Sequence, residues 1–418
     1  MGNMQRQKLV LGKGRNQRYR LASLGLLLMM FASHILPQSV LAEAIKEPVK
    51  QTTRKNFGLF DGWVAKFSDS PSASTPIWTR QFGSSGYDLQ KDLTTDITGS
   101  TISVGNTTGA IVGTNKGGDD AWIVKYSPTG KLVWKRQWGT TDDDAALSVD
   151  TDSDRNIYVA GRYEVGSTEY VWLAKYSPLG ALIWRKSFEA PATTVVDELG
   201  LAIDGGGNAI IASTGTLVAG NNGDCWIVKY SPTGTRLWSQ QVGYIGLDTV
   251  SSLALDRNNS IFLTGTTGSN PGGTNQGLLD AWIAKFTARG ERQWVKQIGT
   301  FTLDIPTSIT TDTKGNAVMA GFTNGPLGGP TRGRNDAWLA KYSPNGTFIW
   351  KRQLGSLEND EVRSIVADTT GNIFLSGLTA GDLGGTNRGS TDAWAAKYSA
   401  AGALVWKKQL GTLSTDAS

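Results

Sequence analysis

One short phrase built around tryptophan recurs down this chain, and it constrains the fold more than any other feature. Trp63, Trp122, Trp172, Trp226, Trp282, Trp338 and Trp394 each stand in a version of it; the clearest copies are Asp280-Ala-Trp-Ile-Ala-Lys-Phe286, Asp336-Ala-Trp-Leu-Ala-Lys-Tyr342 and Asp392-Ala-Trp-Ala-Ala-Lys-Tyr398. From Trp226 onward the period is 56 residues. A second tryptophan follows at Trp78, Trp134, Trp184, Trp238, Trp294, Trp350 and Trp406, so one unit accounts for fourteen of the fifteen tryptophans. Self-similarity at a fixed period of this length is the mark of a solenoid, propeller or array.

Residues 360–411 show what one unit holds. Val362–Asp368 is a β-type run, Thr369-Thr-Gly371-Asn372 carries favoured turn residues, and Ile373–Gly377 is a second run. A Gly-rich loop, 381–389, leads to the Trp phrase, a turn at Ser399–Gly402 and a last run through Trp406. The period of 3.6 residues that marks an amphipathic helix is missing from residue 43 onward. Four short antiparallel strands, repeated, predict the blade of an all-β propeller, with the aromatic rings filling the space between blades. The first hairpin recurs six times, at Asp96, Asp152, Asp204, Asp256, Asp312 and Asp368, against seven copies of the Trp hairpin. The expected ring therefore has seven positions with one incomplete blade; the alternative is six full blades plus an extra N-terminal hairpin. A truncated reading frame is a third way to the same pattern.

The Trp phrase, the Leu410-Gly411 that follows it, and Asp-x-x-Gly-Asn with Gly-x-Thr at Asp368–Thr379 resemble the SBBP family of bacterial β-propeller repeats. The resemblance spans roughly residues 57–411. It implies a secreted or surface-exposed propeller and carries no common catalytic residue to this chain.

The N-terminus is a different kind of sequence. Arg6, Lys8, Lys13, Arg15, Arg18 and Arg20 precede an apolar run, Leu21–Leu36, and the small-residue pattern Ser39-Val-Leu-Ala42. That order predicts a signal peptide over 1–42 and a linker over 43–56 before the propeller, 57–418; the apolar run is shorter than the ~20 residues of a membrane span. Six of the 41 basic residues precede Ala42, leaving 35 against 36 acidic ones. The basic balance thus belongs to the leader and argues for neither nucleic acid nor membrane as a partner. His34, the single histidine, lies in the leader too, and Cys225 is the single cysteine. Within the propeller segment, Ser-His-Asp triads, Cys-His dyads and His- or Cys-rich zinc sites are therefore excluded.

Candidate residues divide into repeated and loop-borne groups. Lys66, Lys125, Lys175, Lys229, Lys285, Lys341 and Lys397 hold one strand position in every unit, which predicts a structural ion pair with the repeat Asp of a neighbouring blade rather than an anion-binding ring. Asp88, Asp144, Asp197, Asp248, Asp304 and Asp360 would either line the channel mouth or cap turns, the latter being favoured. Asp152-Ser-Asp154 begins like a calcium loop, but Ile157 and Tyr163 stand where that loop needs Gly and Glu. Asp142–Asp144 reads as a solvated turn. The loops Gly113-Thr-Asn115-Lys116-Gly117, Gly273-Thr-Asn275-Gln276-Gly277, Gly329-Pro-Thr-Arg332-Gly333 and Gly385-Thr-Asn387-Arg388-Gly389 emerge on one face. Their Asn115, Lys116, Asn275, Arg332, Asn387 and Arg388 are candidate ligand contacts. Equally, Gly and Asn are what left-handed turns require.

The expectation is an exported, non-enzymatic binding or scaffolding module at the bacterial cell surface or in the periplasm, possessing no cofactor or metal, with calcium as the one metal considered. Its partner would be an extracellular glycan or surface protein met through the Gly/Asn-rich loops, with neither nucleic acid nor stable membrane insertion involved. The alternative is a quinone-dependent dehydrogenase-like propeller, because Tyr126–Trp134 resembles the tryptophan-bearing turn of those enzymes.

Overall fold

A computed structural model describes residues 62–66, 77–166, 168–189, 196, 198–215, 225–242 and 248–411. The proposed leader and linker lie outside them, as do Asp197 and the side chain of Trp63. Six four-stranded antiparallel sheets follow one another in sequence order: blades 1 to 6, at residues 88–138, 144–189, 199–242, 252–298, 304–354 and 360–410. Ahead of them a two-stranded hairpin joins β1 (Gly62–Lys66) to β2 (Trp78–Phe82). Blade 1 consists of β3 (Asp88–Thr95), β4 (Thr101–Thr107), β5 (Asp120–Tyr126) and β6 (Leu132–Trp138), and the other blades repeat it.

The third strand of each blade lies between its second and fourth and is the most apolar. All of β5 is buried, as are Asp280–Phe286 and Asp336–Tyr342, because blades cover both faces of these strands. The fourth strand is exposed along much of its length. Trp122, Trp172, Trp226 and Trp338 are at most 1% exposed. At ~200 Å² each, such rings contribute roughly 5 kcal/mol of gross apolar burial apiece. The end of each fourth strand packs on the first tryptophan of the next blade, edge to face in Phe82 on Trp122, Trp138 on Trp172 and Phe188 on Trp226. Trp138, the tryptophan outside the repeated pair, thus takes the place that Phe82 and Phe188 hold elsewhere.

The second tryptophan fastens neighbours. Trp78, Trp134, Trp184 and Trp294 donate their indole N–H groups at 2.9–3.0 Å to the carbonyls of Pro128, Pro178, Pro232 and Pro344, each in the following blade. First strands surround a channel of about 260 Å³, with Leu201, Leu253, Ile309 and Ile365 among its walls. They are stitched across blades: Ser148 and the Val149 N–H donate to Asp92, and the Ile203 N–H to Asp150.

Candidate functional site

The geometry of the repeated lysines corrects an expectation. Lys125, Lys175, Lys229, Lys285 and Lys341 pair with Asp96, Asp152, Asp204, Asp256 and Asp312 at 2.8–3.6 Å. Each Asp belongs to the same blade as its Lys, not to a neighbour. The third strand runs beside the second, so its Lys reaches the turn that opens that second strand. Four of the five ammonium groups also donate to the next blade's outer turn, as Lys341 does to the Ala400 carbonyl at 3.2 Å. Burial alone would raise the Asp312 carboxyl, but hydrogen bonds from Asn316 and Lys341 overcome it and hold the carboxyl below the usual range.

Among the described residues, the aspartates that open the first strands do not line the channel. Asp304 accepts the Thr300 N–H at 2.6 Å and the Thr323 hydroxyl at 2.6 Å, and Asp88 and Asp360 repeat the pattern with Ser84 and Ser356. They are turn caps. Burial raises the Asp304 and Asp360 carboxyls, with Asp280 and Asp336 adding like charge beside them. The Asp142–Asp144 run is divided among three tasks: Asp142 accepts from Gly166 N, Asp143 from Asp119 N, and Asp144 from Thr140. Among the described residues no three His, Cys, Asp or Glu side chains converge as a metal would require.

The Gly-rich loops stand together on one face, and their asparagines are committed within them. Asn387 donates to the Ala380 carbonyl at 2.6 Å and accepts the Gly389 N–H at 3.2 Å. Asn275 matches it, donating to the Gly268 carbonyl and accepting the Gly277 N–H, while Asn115 donates to the Gly118 carbonyl and accepts the Gly117 N–H. The following residue is held by its backbone alone: Lys116, Arg332 and Arg388 donate their N–H groups to Asp120, Asp336 and Asp392. Their side chains are exposed and form no ion pair among the described residues.

One groove on this face gathers several of these groups. It lies between blades 5 and 6, encloses about 550 Å³, and is walled by Arg332, Leu357, Glu358, Asp382, Asn387 and Lys407. Of the six loop candidates it contains Arg332 and Asn387; Asn115, Lys116, Asn275 and Arg388 lie elsewhere on the face. Glu358, Asp382 and Lys407 escape a sequence reading because they come from an inter-blade loop, a Gly-rich loop and a fourth strand. Their signal is faint: residues that vary between units whose frame is constant. In blade 2, Ile157–Val165 and Thr168–Tyr176 form a plain hairpin where blades 1, 4, 5 and 6 have a long Gly-rich loop.

The fold and this rim define the class as a β-propeller with a loop-built groove. Within the class, residues 237–273, 293–328 and 349–384 match the SBBP β-propeller repeat, so the chain carries repeats of that family. It is similar to an uncharacterised WD repeat-containing protein of Acanthamoeba polyphaga mimivirus, 22% identical over 299 residues, which are 69% of this chain and 17% of that protein. The chain thus matches less than a fifth of that relative's length. Among solved structures it resembles an α-L-arabinofuranosidase from Fusarium graminearum (10% identity, 68% of this chain and 86% of that one, TM-score 0.46). It also resembles the propeller domain of the Trilobed protease from Pyrococcus furiosus (10%, 79% and 97%, 0.42) and an ulvan lyase (11%, 80% and 82%, 0.43). The expectation of a non-enzymatic protein is corrected by this company. A propeller fold by itself does not set a chain apart from enzymes. The Trp134 turn that resembles quinone enzymes is accounted for by docking, since its indole lies over Gly180 and bonds the Pro178 carbonyl of the next blade.

Proposed function

We propose that this chain is an exported propeller that recognises a saccharide in the groove between blades 5 and 6. The observation that carries the reading is the convergence of Arg332, Lys407, Glu358 and Asp382 on one cavity of ligand size. Sugar hydroxyls donate and accept, so a wall offering both cations and carboxylates suits them better than a wall of one sign. Leu357, 83% exposed, adds an apolar surface for ring C–H groups. The loops beneath are held by the internal bonds of Asn387 and Asp336, so the charged side chains extend from a fixed backbone. Export rests on the basic, apolar and small-residue order of residues 1–42.

The test is a glycan array probed with the protein, followed by calorimetry on any hit, with product analysis of the same mixtures to register cleavage. Binding should weaken about tenfold or more in Arg332→Ala/Lys407→Ala, consistent with losing hydrogen bonds to charged groups. Lys116→Ala, on the blade 1 loop, should leave it unchanged. Equal binding by all three proteins would remove the groove from consideration.

A further inference from the structure

The hairpin β1–β2 is the outer half of a blade whose inner half is not among the described residues. Its register sets Lys66 opposite Trp78, as Lys125 is opposite Trp134 and Lys341 opposite Trp350. Trp78 docks on blade 1 just as later tryptophans dock on their neighbours, bonding the Pro128 carbonyl and lying over Gly130. Yet among the described residues β1 pairs with β2 alone, whereas β5 lies between β4 and β6. First strands pack in succession from blade 1 to blade 6, but the first strand of blade 6, Asp360–Ala367, lacks that packing with β3. A seventh position therefore stands between them, and the described residues build its outer half.

Two side chains beside this position are unsatisfied. Lys66 forms no ion pair or side-chain hydrogen bond among the described residues, while five of its six counterparts are each paired to an Asp. Burial pushes its ammonium below the usual lysine value. Gln90 on β3 is 6% exposed, and both atoms of its amide are buried without a hydrogen-bond partner. At the same register position other blades have Ala146, Pro306 and Val362; Ala146 and Val362 pack on the preceding blade. Gln90 thus turns a donor and an acceptor toward the seventh position, where an apolar residue serves at complete junctions. Such a group is costly unless something bonds it.

We propose that the free edge of β1, Lys66 and Gln90 form a docking slot for a β-hairpin carried by a partner polypeptide. The partner's chemistry is that of the repeat's own inner half: two short apolar strands joined by an Asp-x-x-Gly-Asn turn. Its first aspartate takes the place beside Lys66 that Asp312 holds beside Lys341. Its outer strand adds to β1 by main-chain hydrogen bonds, and a polar group on its blade-1 side meets the Gln90 amide. Charge complementarity selects the partner, because a hairpin lacking the acid would bury the ammonium unpaired.

The experiment uses the protein and a synthetic peptide with the sequence of residues 360–379, the inner hairpin of blade 6. Titration followed by calorimetry should show saturable one-to-one binding, and hydrogen exchange at 62–66 should slow when peptide is added. Lys66→Met should weaken the peptide about tenfold, as should the Asp368→Asn peptide, while Lys116→Met should not. Without peptide, Lys66→Met should raise the melting temperature, since it removes a half-buried unpaired charge. That result shows the variant folded. A lowered melting temperature would mean that Lys66 is already paired, and the slot is then filled. Absence of binding at about 1 mM peptide, or equal affinity for Lys66→Met, also overturns the proposal. So does a self-associated form of the protein that the peptide fails to displace.

Discussion

Trp294 donates its indole N–H to the Pro344 carbonyl of the next blade at 3.0 Å, and its ring lies over Gly346 in the same turn. Gly346 has a φ of 78°, so glycine is needed twice there: for the left-handed backbone and for the ring. A Cβ would fall 2.9 Å from Trp294 Cδ2. Gly346→Ala should cost about 2–4 kcal/mol, the left-handed penalty plus overpacking. Gly113 is the control, with a φ of 79° and open space around it. There Ala should cost only ~1 kcal/mol. Equal losses in denaturant titrations would show that the ring contact adds nothing.

Lys341 and Asp312 are 2.8 Å apart and almost wholly buried, at 4% and 3% exposure. Removing one partner leaves the other charge without compensation. Lys341→Met should therefore destabilise by about 3–5 kcal/mol, and Lys341→Met/Asp312→Asn by less than the sum of its parts. Calorimetric melting of the four proteins measures the coupling. An additive outcome would assign the lysine's role to its bond with the Ala400 carbonyl.

Arg155 holds a φ of 67° and is exposed, at a turn position where Gly99, Gly207, Gly315 and Gly371 occur in other blades. Arg155→Gly should stabilise by about 0.5–1 kcal/mol by relieving the left-handed strain. Asn259, at a φ of 60°, should gain less from the same change, because its side chain accepts the Gly205 N–H at 2.9 Å. A lower melting temperature for Arg155→Gly would reveal a contact made by the guanidinium.

Two sets of buried carboxyls give opposite pH dependences. Asp96, Asp204 and Asp312 are held low: burial works against their ionisation, but hydrogen bonds and the paired lysines prevail. Their stabilisation is complete above the unfolded value, ~3.9, and is lost as pH falls through their folded values. Asp304 and Asp360 are held high by burial, so the folded state keeps their protons longer and loses stability as pH rises from ~4 through their folded values. Asp304→Asn/Asp360→Asn should therefore gain on the parent protein across that window, in unfolding free energies measured at successive pH. A constant difference would show that these carboxyls ionise alike in both states.

Blade number, strand order and the aromatic packing were legible in residue spacing, because a blade is a local object. Each of its four strands pairs with a neighbour in sequence, so one 56-residue period carries a whole sheet. The turn-capping role of Asp304 was equally readable, since Thr300 and Thr323 lie in the same unit. The partner of Lys341 was not: own-blade and next-blade aspartates repeat with one period, and only the strand register brings Asp312 to it. The rim groove was out of reach for a related reason. Arg332, Glu358, Asp382 and Lys407 meet only after two blades pack.

What the sequence determined by itself is the repeat: four short strands, two tryptophans and a buried lysine, written in residues near one another. What the tertiary structure decided is everything between repeats. That includes the indole-to-carbonyl fasteners, the groove of blades 5 and 6, and the seventh position beside Lys66 and Gln90. The physical reason is that hydrogen bonding within a blade is set by chain proximity. Contacts between blades arise where side chains from distant segments are driven together by burial, and a period in the sequence cannot say which of them will touch.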